Sequence, residues 1–410
     1  MTALSFANPY KPGAGHMPPH LAGREAEHRE FLRLLEQTTI LENLVLTGLR
    51  GVGKTVLLET FRPLAISRGW AWAGTDLSES ASISENNLAI RLIADLAVVT
   101  SSLTVTETAK RHLGFAPSAS VTTHKSVDYN FLASIYEGTP GLPVDKLKAV
   151  LEFAHDALEK AGNGRVVFAY DEAQNLADNA VKNEFPLSLL LEVFQSIQRK
   201  GIPFLLVLTG LPTLFPKLVE ARTYAERMFR VVTLTRLSPE ESEDAITTPI
   251  KKAECPISLA PPSVALIVKE SGGYPYFIQF ICREVYDVFI QQAERDELGT
   301  VPIDAIQRKL DSDFFAGRWA RVTDRQRQLL YIAATLEKSD DDEFTIQDLS
   351  GHSHELLPKG FSPSHINQML GGLADQGLIY KNRFGKYSFA VPLLGRFILR
   401  IYEPPGDVQS

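Results

Sequence analysis

The sequence predicts an α/β protein with a parallel sheet, continued into a wholly helical segment and ended by a small domain of helices and a hairpin. Three observations predict it. Short unbroken apolar runs alternate with helical patterns up to about residue 236, the pattern turns wholly helical after Leu237, and beyond about Val322 three helical patterns precede two short strands. Strands that are apolar without interruption are buried on both faces, which requires a parallel sheet covered by helices.

Taken in order, residues 1–20 are rich in Pro and Gly and read as an extended arm. A helix follows from about Glu25 to Glu36, with Phe31, Leu32, Leu34 and Leu35 as its apolar stripe. Five strands are expected at Leu44–Thr47, Trp70–Ala73, Val166–Tyr170, Phe204–Leu208 and Val231–Leu234. The stretch from about Ser101 to Pro143 has an irregular pattern, expected to be an insertion or a set of surface helices. Ser238-Pro239-Glu240-Glu241 starts a helix, with proline in the first turn and acids facing the helix dipole. Pro261-Pro262-Ser263 starts another, and Gly272-Gly273-Tyr274-Pro275 breaks the chain before a third. Helical patterns at Asp324–Leu336, Ile346–Ser350 and Ser362–Gln376 lead to strands at Leu378–Tyr380 and Tyr387–Phe389, turning at Asn382–Gly385. Three helices and a hairpin in that order spell a winged helix-turn-helix. The expected divisions are an arm at 1–20, a core at 21–236, a helical segment at 237–315, the winged helix at 316–403 and a tail at 404–410.

Composition narrows the function. Of 410 residues 44% are hydrophobic and 22% charged, which is ordinary for a globular protein with several cores. The net charge of −7 is the wrong sign for nonspecific binding along nucleic acid, so any such contact needs a local patch. Met1–Phe6 lacks the basic and apolar regions of a signal peptide, and no apolar stretch reaches a membrane-spanning length. Cys255 and Cys282 have no metal-ligand spacing, and the histidines form no ligand pattern. Buried free thiols in a reducing cytoplasm are the expectation.

One motif carries specific chemistry. Gly48-Leu49-Arg50-Gly51-Val52-Gly53-Lys54-Thr55 follows an apolar strand and opens a helical run at Val56–Thr60. Glycines let a backbone curl round phosphate with its N–H groups inward, the lysine reaches the β- and γ-phosphates, and the threonine hydroxyl ligates Mg²⁺. Gly48 through Val56 are thus the expected ATP-binding residues. The apolar run Val166–Tyr170 ends in Asp171-Glu172, at the carboxyl end of a strand where open α/β sheets bind ligands. Asp171 is placed to support the metal, and Glu172 to orient and deprotonate an attacking water. Thr209 ends the next apolar strand. Its hydroxyl can touch the γ-phosphate or the lytic water, or it can cap the following helix, and both readings stand open.

Gly-rich loop, strand-terminal Asp-Glu, a polar residue ending the next strand and a helical segment beyond it together resemble an AAA+ or STAND ATPase. The nearest likeness is to the initiator-like, origin-recognition-like group, in which a winged helix follows a helical lid. It spans about Leu21 to Tyr402, and its two Walker motifs are the specific part. The resemblance implies that Leu21-Ala22-Gly23-Arg24-Glu25 lies against the adenine and that Thr209 is the first sensor. It places an arginine finger at Arg222, Arg227 or Arg230, with Arg227 the chosen candidate. Pro275 stands about where relatives with a second sensor carry an arginine, a feature similar to the STAND group, which holds nucleotide as a switch. The implied function is an ATP-binding switch with slow Mg²⁺-dependent hydrolysis, acting through self-association or a protein partner; the alternative is an ATP-dependent DNA-binding initiator or regulator.

The expected recognition helix of the winged segment, Ser364–Leu370, offers Asn367 and Gln368 to base edges but no Arg or Lys. The wing offers Lys381, Arg383 and Lys386 to phosphates, and Tyr380 and Phe384 as apolar anchors for a protein. DNA contact and protein contact both stay open for this segment.

Overall fold

The computed structural model describes residues 7–13, 15–111, 119–255, 258–294, 301–336, 343–382 and 385–403. The chain divides into two compact units, each assembled from separate stretches. One comprises Glu25–Thr47 and Leu57–Thr233, the other Met1–Arg24, Gly48–Val56 and Leu234–Ser410.

The first unit is built on β1 (Asn43–Thr47), β2 (Ala71–Ala73), β5 (Val166–Tyr170), β6 (Phe204–Gly210) and β7 (Phe229–Thr233), in the order β2-β5-β6-β1-β7. Every pairing in this sheet is parallel. β1, β5 and β6 are buried at each position, as their unbroken apolar runs demand, whereas edge strand β7 buries only Phe229. Helices α1 (Glu25–Leu35), α2 (Lys54–Ser67), α3 (Glu85–Thr100), α4 (Tyr129–Gly138), α5 (Pro143–Lys160), α6 (Pro186–Arg199), α7 (Leu214–Ala221) and α8 (Ala225–Met228) connect the strands. Phe31 of α1 stacks on Phe61 of α2 at 4.2 Å, and Phe168 packs between Phe194 and Phe204 at 5.2 and 5.4 Å. Buried Asn43 exchanges amide bonds with Gln198 at 2.8 and 3.1 Å and accepts the Leu206 N–H at 2.8 Å, which ties β1 to β6 without leaving a polar group unpaired.

The stretch 101–143 is not the set of surface helices that was one of its two expected forms. It holds an antiparallel hairpin, β3 (Thr104–Arg111) with β4 (Ala119–Ser126), followed by α4. Thr104, Val105, Thr106, Thr108, Val121, Thr122 and Thr123 supply strand propensity, but their neighbours are polar, so no period-two apolar face marks the strands.

In the second unit α9 (Pro239–Lys252), α10 (Pro261–Ser271), α11 (Pro275–Glu294) and α12 (Ile303–Leu310) share a core containing Ile246, Ile267, Ile278, Val285 and Tyr286. The Ser238 start is a capping box. Its hydroxyl accepts the Glu241 N–H at 3.2 Å, and the Glu241 carboxylate accepts the Ser238 N–H at 2.8 Å. The described residues of the arm form no helix or strand, yet the arm is anchored. Tyr10 is buried edge-on to Tyr286 with its hydroxyl donating to the Ile246 carbonyl, and Asn8 donates to the Arg283 carbonyl at 2.9 Å.

A π-helical turn, Asp311–Phe315, leads into α13 (Ala316–Trp319). Then come α14 (Asp324–Leu336), α15 (Ile346–Leu356), α16 (Pro363–Asp375), and the hairpin of β8 (Ile379–Lys381) with β9 (Tyr387–Phe389). Phe344 and Tyr387 exchange backbone bonds of 2.9 and 2.8 Å as a third strand edge. This is the element order of a winged helix. One further helix, α17 (Leu394–Ile401), buries Leu394, Phe397 and Ile398, and Phe397 stacks on Phe315 at 5.0 Å. Among the described residues no helix is long and apolar enough to cross a membrane.

Candidate functional site

The Gly-rich loop leaves β1 at Thr47 and runs into α2 at Lys54. Its shape needs glycine for separate reasons at separate positions. Gly51 and Gly53 have φ of +81° and +92°, a region other residues seldom enter, and a Cβ on Gly48 would sit 2.6 Å from the Leu234 carbonyl oxygen. Three groups hold the loop. The Arg24 guanidinium, 5% exposed, donates from Nη2 to the Val52 carbonyl at 2.9 Å and the Thr235 carbonyl at 3.0 Å. The Tyr276 N–H donates to the Gly51 carbonyl at 3.2 Å. Lys54, nearly buried, donates through Nζ to the carbonyls of Gly48 and Leu49, both at 2.9 Å. Leu49, Thr55 and Val56 are half-buried, Val52 is buried and Arg50 is exposed.

Among the described residues the N–H groups of Gly51, Val52 and Gly53 donate to no carbonyl. α2 carries no acid in its first turn, so its own first turn leaves the positive end of the dipole uncompensated. Free N–H groups, a helix N-terminus and one lysine are the donor set of a phosphate cradle, and they fit a polyphosphate.

The carboxylates stand at the strand ends of the other unit. β5 pairs with β6 so that Tyr170 faces Leu208, and the next residues are Asp171 and Thr209. Asp171 is buried, and its carboxylate accepts the N–H of Glu172 at 2.8 Å. Glu172 is exposed, with φ 51° and ψ 32°, a left-handed backbone that costs a non-glycine residue about 1–2 kcal/mol. Gln174, in the turn that follows, donates its amide N–H to the Glu172 carboxylate and accepts the Leu211 N–H at 3.0 Å through Oε1. Lys217 donates to the Gln174 carbonyl at 2.9 Å, and burial holds its ammonium below the ordinary lysine pKa against the opposing pull of Glu220. Thr209 is fully buried, and its hydroxyl has no hydrogen-bond partner among the described residues. The helix-capping reading of Thr209 is thereby excluded, and a buried orphan hydroxyl is uncommon enough to need a reason.

Of the arginines, Arg222 pairs with Glu192 at 3.3 Å and Arg230 with Glu30 at 3.2 Å. Arg227, exposed on α8, has no carboxylate partner among the described residues. Pro275 is the first residue of α11. In the winged segment Asn367 and Gln368 are exposed on α16, Lys381 lies over the Tyr387 ring at 5.6 Å, and Lys386 pairs with Glu343 at 3.4 Å. Tyr380 is half-buried, and Arg383 and Phe384 lie outside the described residues.

Two residues escaped sequence reasoning. Gln174 was signalled only by an amide two positions past the strand-terminal Glu172. Arg24 lay in the segment assigned to adenine, with nothing to show that its side chain clamps the loop.

A family model described as "AAA ATPase domain" matches residues 20–213, and one described as "Domain of unknown function (DUF8462)" matches residues 312–398. No curated protein matches the chain. Among solved structures, the Walker-type ATPase of Pyrococcus abyssi is 15% identical with a TM-score of 0.56, covering 92% of this chain and 96% of that one. The ORC2 protein of Aeropyrum pernix in its ADP form is 15% identical with a TM-score of 0.53, covering 96% and 97%. At this identity the likeness is one of fold. The loop, the strand order and the matched domain agree: residues 20–213 are similar to an AAA ATPase domain, and the chain shares the fold of these two solved structures.

Proposed function

We propose that this protein is an ATP-binding molecular switch that hydrolyses ATP slowly and passes its nucleotide state to a partner. Lys54 and the N–H groups of the loop bind the phosphates. Thr55 and Asp171 are assigned to Mg²⁺, which when bound would neutralise charge on the β- and γ-phosphates. Glu172 takes the proton of the attacking water, Thr209 senses the γ-phosphate, and Arg227 is the finger, acting across subunits. Residues 237–315 serve as lid and 316–403 as the winged helix that meets a protein partner or another copy. The ADP form of the Aeropyrum protein supports the nucleotide, since a protein of this fold holds one.

The observation that carries the reading is Glu172, kept in a left-handed backbone with its carboxylate bonded to Gln174. Backbone strain of this kind collects at functional sites, where the surrounding structure over-determines it. The slow-switch part rests on Pro275 at the start of α11 and on Arg227, which has no carboxylate partner among the described residues. Phosphate release measured against protein concentration tests it. Turnover of the dilute chain should be slow and rise on self-association or partner binding, because an arginine finger contributes ~10³–10⁵ in rate. High activity independent of concentration overturns the switch reading.

A second reading, DNA contact, is favoured by the exposure of Asn367 and Gln368 on α16. Fluorescence anisotropy with duplex DNA at low salt and with ATP decides it, and no binding there leaves the winged helix as a protein-contact surface.

A further inference from the structure

Lys217 stands where a lysine adds little to the helix that carries it. It lies in the first turn of α7, so its ammonium meets the positive end of the helix dipole, and no acid of that turn offsets it. It is half-buried, and among the described residues no carboxylate stands within ion-pair distance, although Glu220 favours its charge from the following turn. What it does bond is the Gln174 carbonyl, at 2.9 Å. Gln174 is held at its other polar atoms too. Its Oε1 accepts the Leu211 N–H at 3.0 Å and fills the space beside Gly210, where a Cβ would stand 2.5 Å from it. Its amide N–H donates to the Glu172 carboxylate. Asn175, the next residue, donates to the Leu77 carbonyl at 3.0 Å and fixes the far side of the turn.

Bonds at the carbonyl, the Oε1 and the amide nitrogen leave Gln174 one orientation, and that orientation sets where the Glu172 carboxylate points. We propose that Lys217 is a positioning residue for hydrolysis, fastening the Gln174 turn to α7 so that the Gln174 amide holds the Glu172 carboxylate in place. This rests on the reading of Glu172 as the general base. An ammonium on a carbonyl makes a charge-assisted bond, stronger than the neutral amide bonds around it, so Lys217 is the firmest of these fastenings. The demand on it is strict, because a reacting group displaced by about 1 Å can lose ~10²-fold in rate.

The test measures steady-state phosphate release on the full chain, with calorimetry of a non-hydrolysable ATP analogue beside it. Lys217→Met keeps the reach of the side chain and removes the donor. Its kcat should fall about tenfold, with KM and analogue affinity within about twofold of wild type. Lys217→Arg returns a charged donor and should recover kcat to within about threefold of wild type. In Gln174→Ala the amide that Lys217 positions is already gone, so adding Lys217→Met should lower kcat by less than about twofold more. Thermal melting controls for folding, and Lys217→Gln repeats the comparison should Lys217→Met melt early. The proposal is overturned by wild-type kcat in Lys217→Met, by a loss of analogue affinity in its place, by Lys217→Arg no faster than Lys217→Met, or by a full tenfold loss in the Gln174→Ala chain. Wild-type turnover in Glu172→Gln overturns the general-base reading itself, an outcome distinct from an inactive Glu172→Gln beside an unaffected Lys217→Met.

Discussion

The phosphate loop is held by side chains and a backbone N–H that meet carbonyls. Arg24 bonds the carbonyls of Val52 and Thr235, the Tyr276 N–H bonds Gly51, and Lys54 bonds Gly48 and Leu49. The ends of β5 and β6 are built the other way. Glu172 sits at φ 51°, and the buried Thr209 hydroxyl has no partner among the described residues. A binding cradle gains from rigidity, because a pre-formed site loses less on ordering when ligand arrives. Groups that act on a reacting centre must keep bonding capacity in reserve, and the fold carries the cost as strain and an unmade hydrogen bond. The contrast suggests that substitutions in the loop should change affinity, whereas substitutions at the strand ends should change turnover.

Glu172→Gln gives the largest effect and tests the contrast most directly. The amide fills the same space but cannot take a proton, so turnover should fall ~10²–10⁴-fold with ATP affinity unchanged. A variant that releases phosphate at the wild-type rate makes Glu172 a structural acid and removes the distinction between the two regions. Lys54→Ala is the converse. It deletes the one cation of the cradle, and loss of charge-assisted bonds to phosphate should weaken ATP by at least about 100-fold in calorimetry. Unchanged affinity would sink the loop assignment. Gln174→Ala sharpens the comparison from the side. It frees the Glu172 carboxylate and strips the Leu211 N–H of its acceptor. The expected outcome is a kcat lower by about tenfold with KM held, the mark of a positioning residue. A rise in KM alone would place Gln174 in binding instead.

Most of the sheet could be read directly from residue order. β1, β5 and β6 are unbroken apolar runs because both faces are covered, and burial on both faces leaves no other composition open. The glycines of the loop were legible for a similar reason, since φ of +81° and +92° excludes other residues. The β3–β4 hairpin was not, because threonine-rich polar strands write no apolar period. Nor was the α17 helix, whose eight residues are too few for periodicity to stand out. At the strand ends the identities of Asp171, Glu172 and Thr209 were legible, but their condition was not. The left-handed turn at Glu172, the Gln174 bridge to Leu211 and the orphan hydroxyl depend on how neighbouring strands end, which is a property of the assembled sheet. The same holds for Arg24 and Lys217, whose partners lie more than 25 residues away in sequence.

The smallest effect isolates the strain itself. Replacing Glu172 by Ala or by Gly deletes the same carboxylate and the same bond to Gln174, so the two variants differ only in the backbone they prefer. At an ordinary position Ala is the more stable by roughly 0.5–1 kcal/mol, because Gly loses more freedom on folding. At a left-handed position Ala carries a penalty of about 1–2 kcal/mol that Gly escapes. The second quantity exceeds the first, so the order should invert and Gly should lead Ala by about 0.5–1 kcal/mol. Urea unfolding of the two variants, read as a difference in midpoint at equal slope, measures it. Both should be inactive, which separates the stability readout from catalysis. If Ala proves the more stable, Glu172 is not held against its backbone preference. The strand ends then lose the strained member that set them apart from the loop, and strain plays no part in catalysis at Glu172.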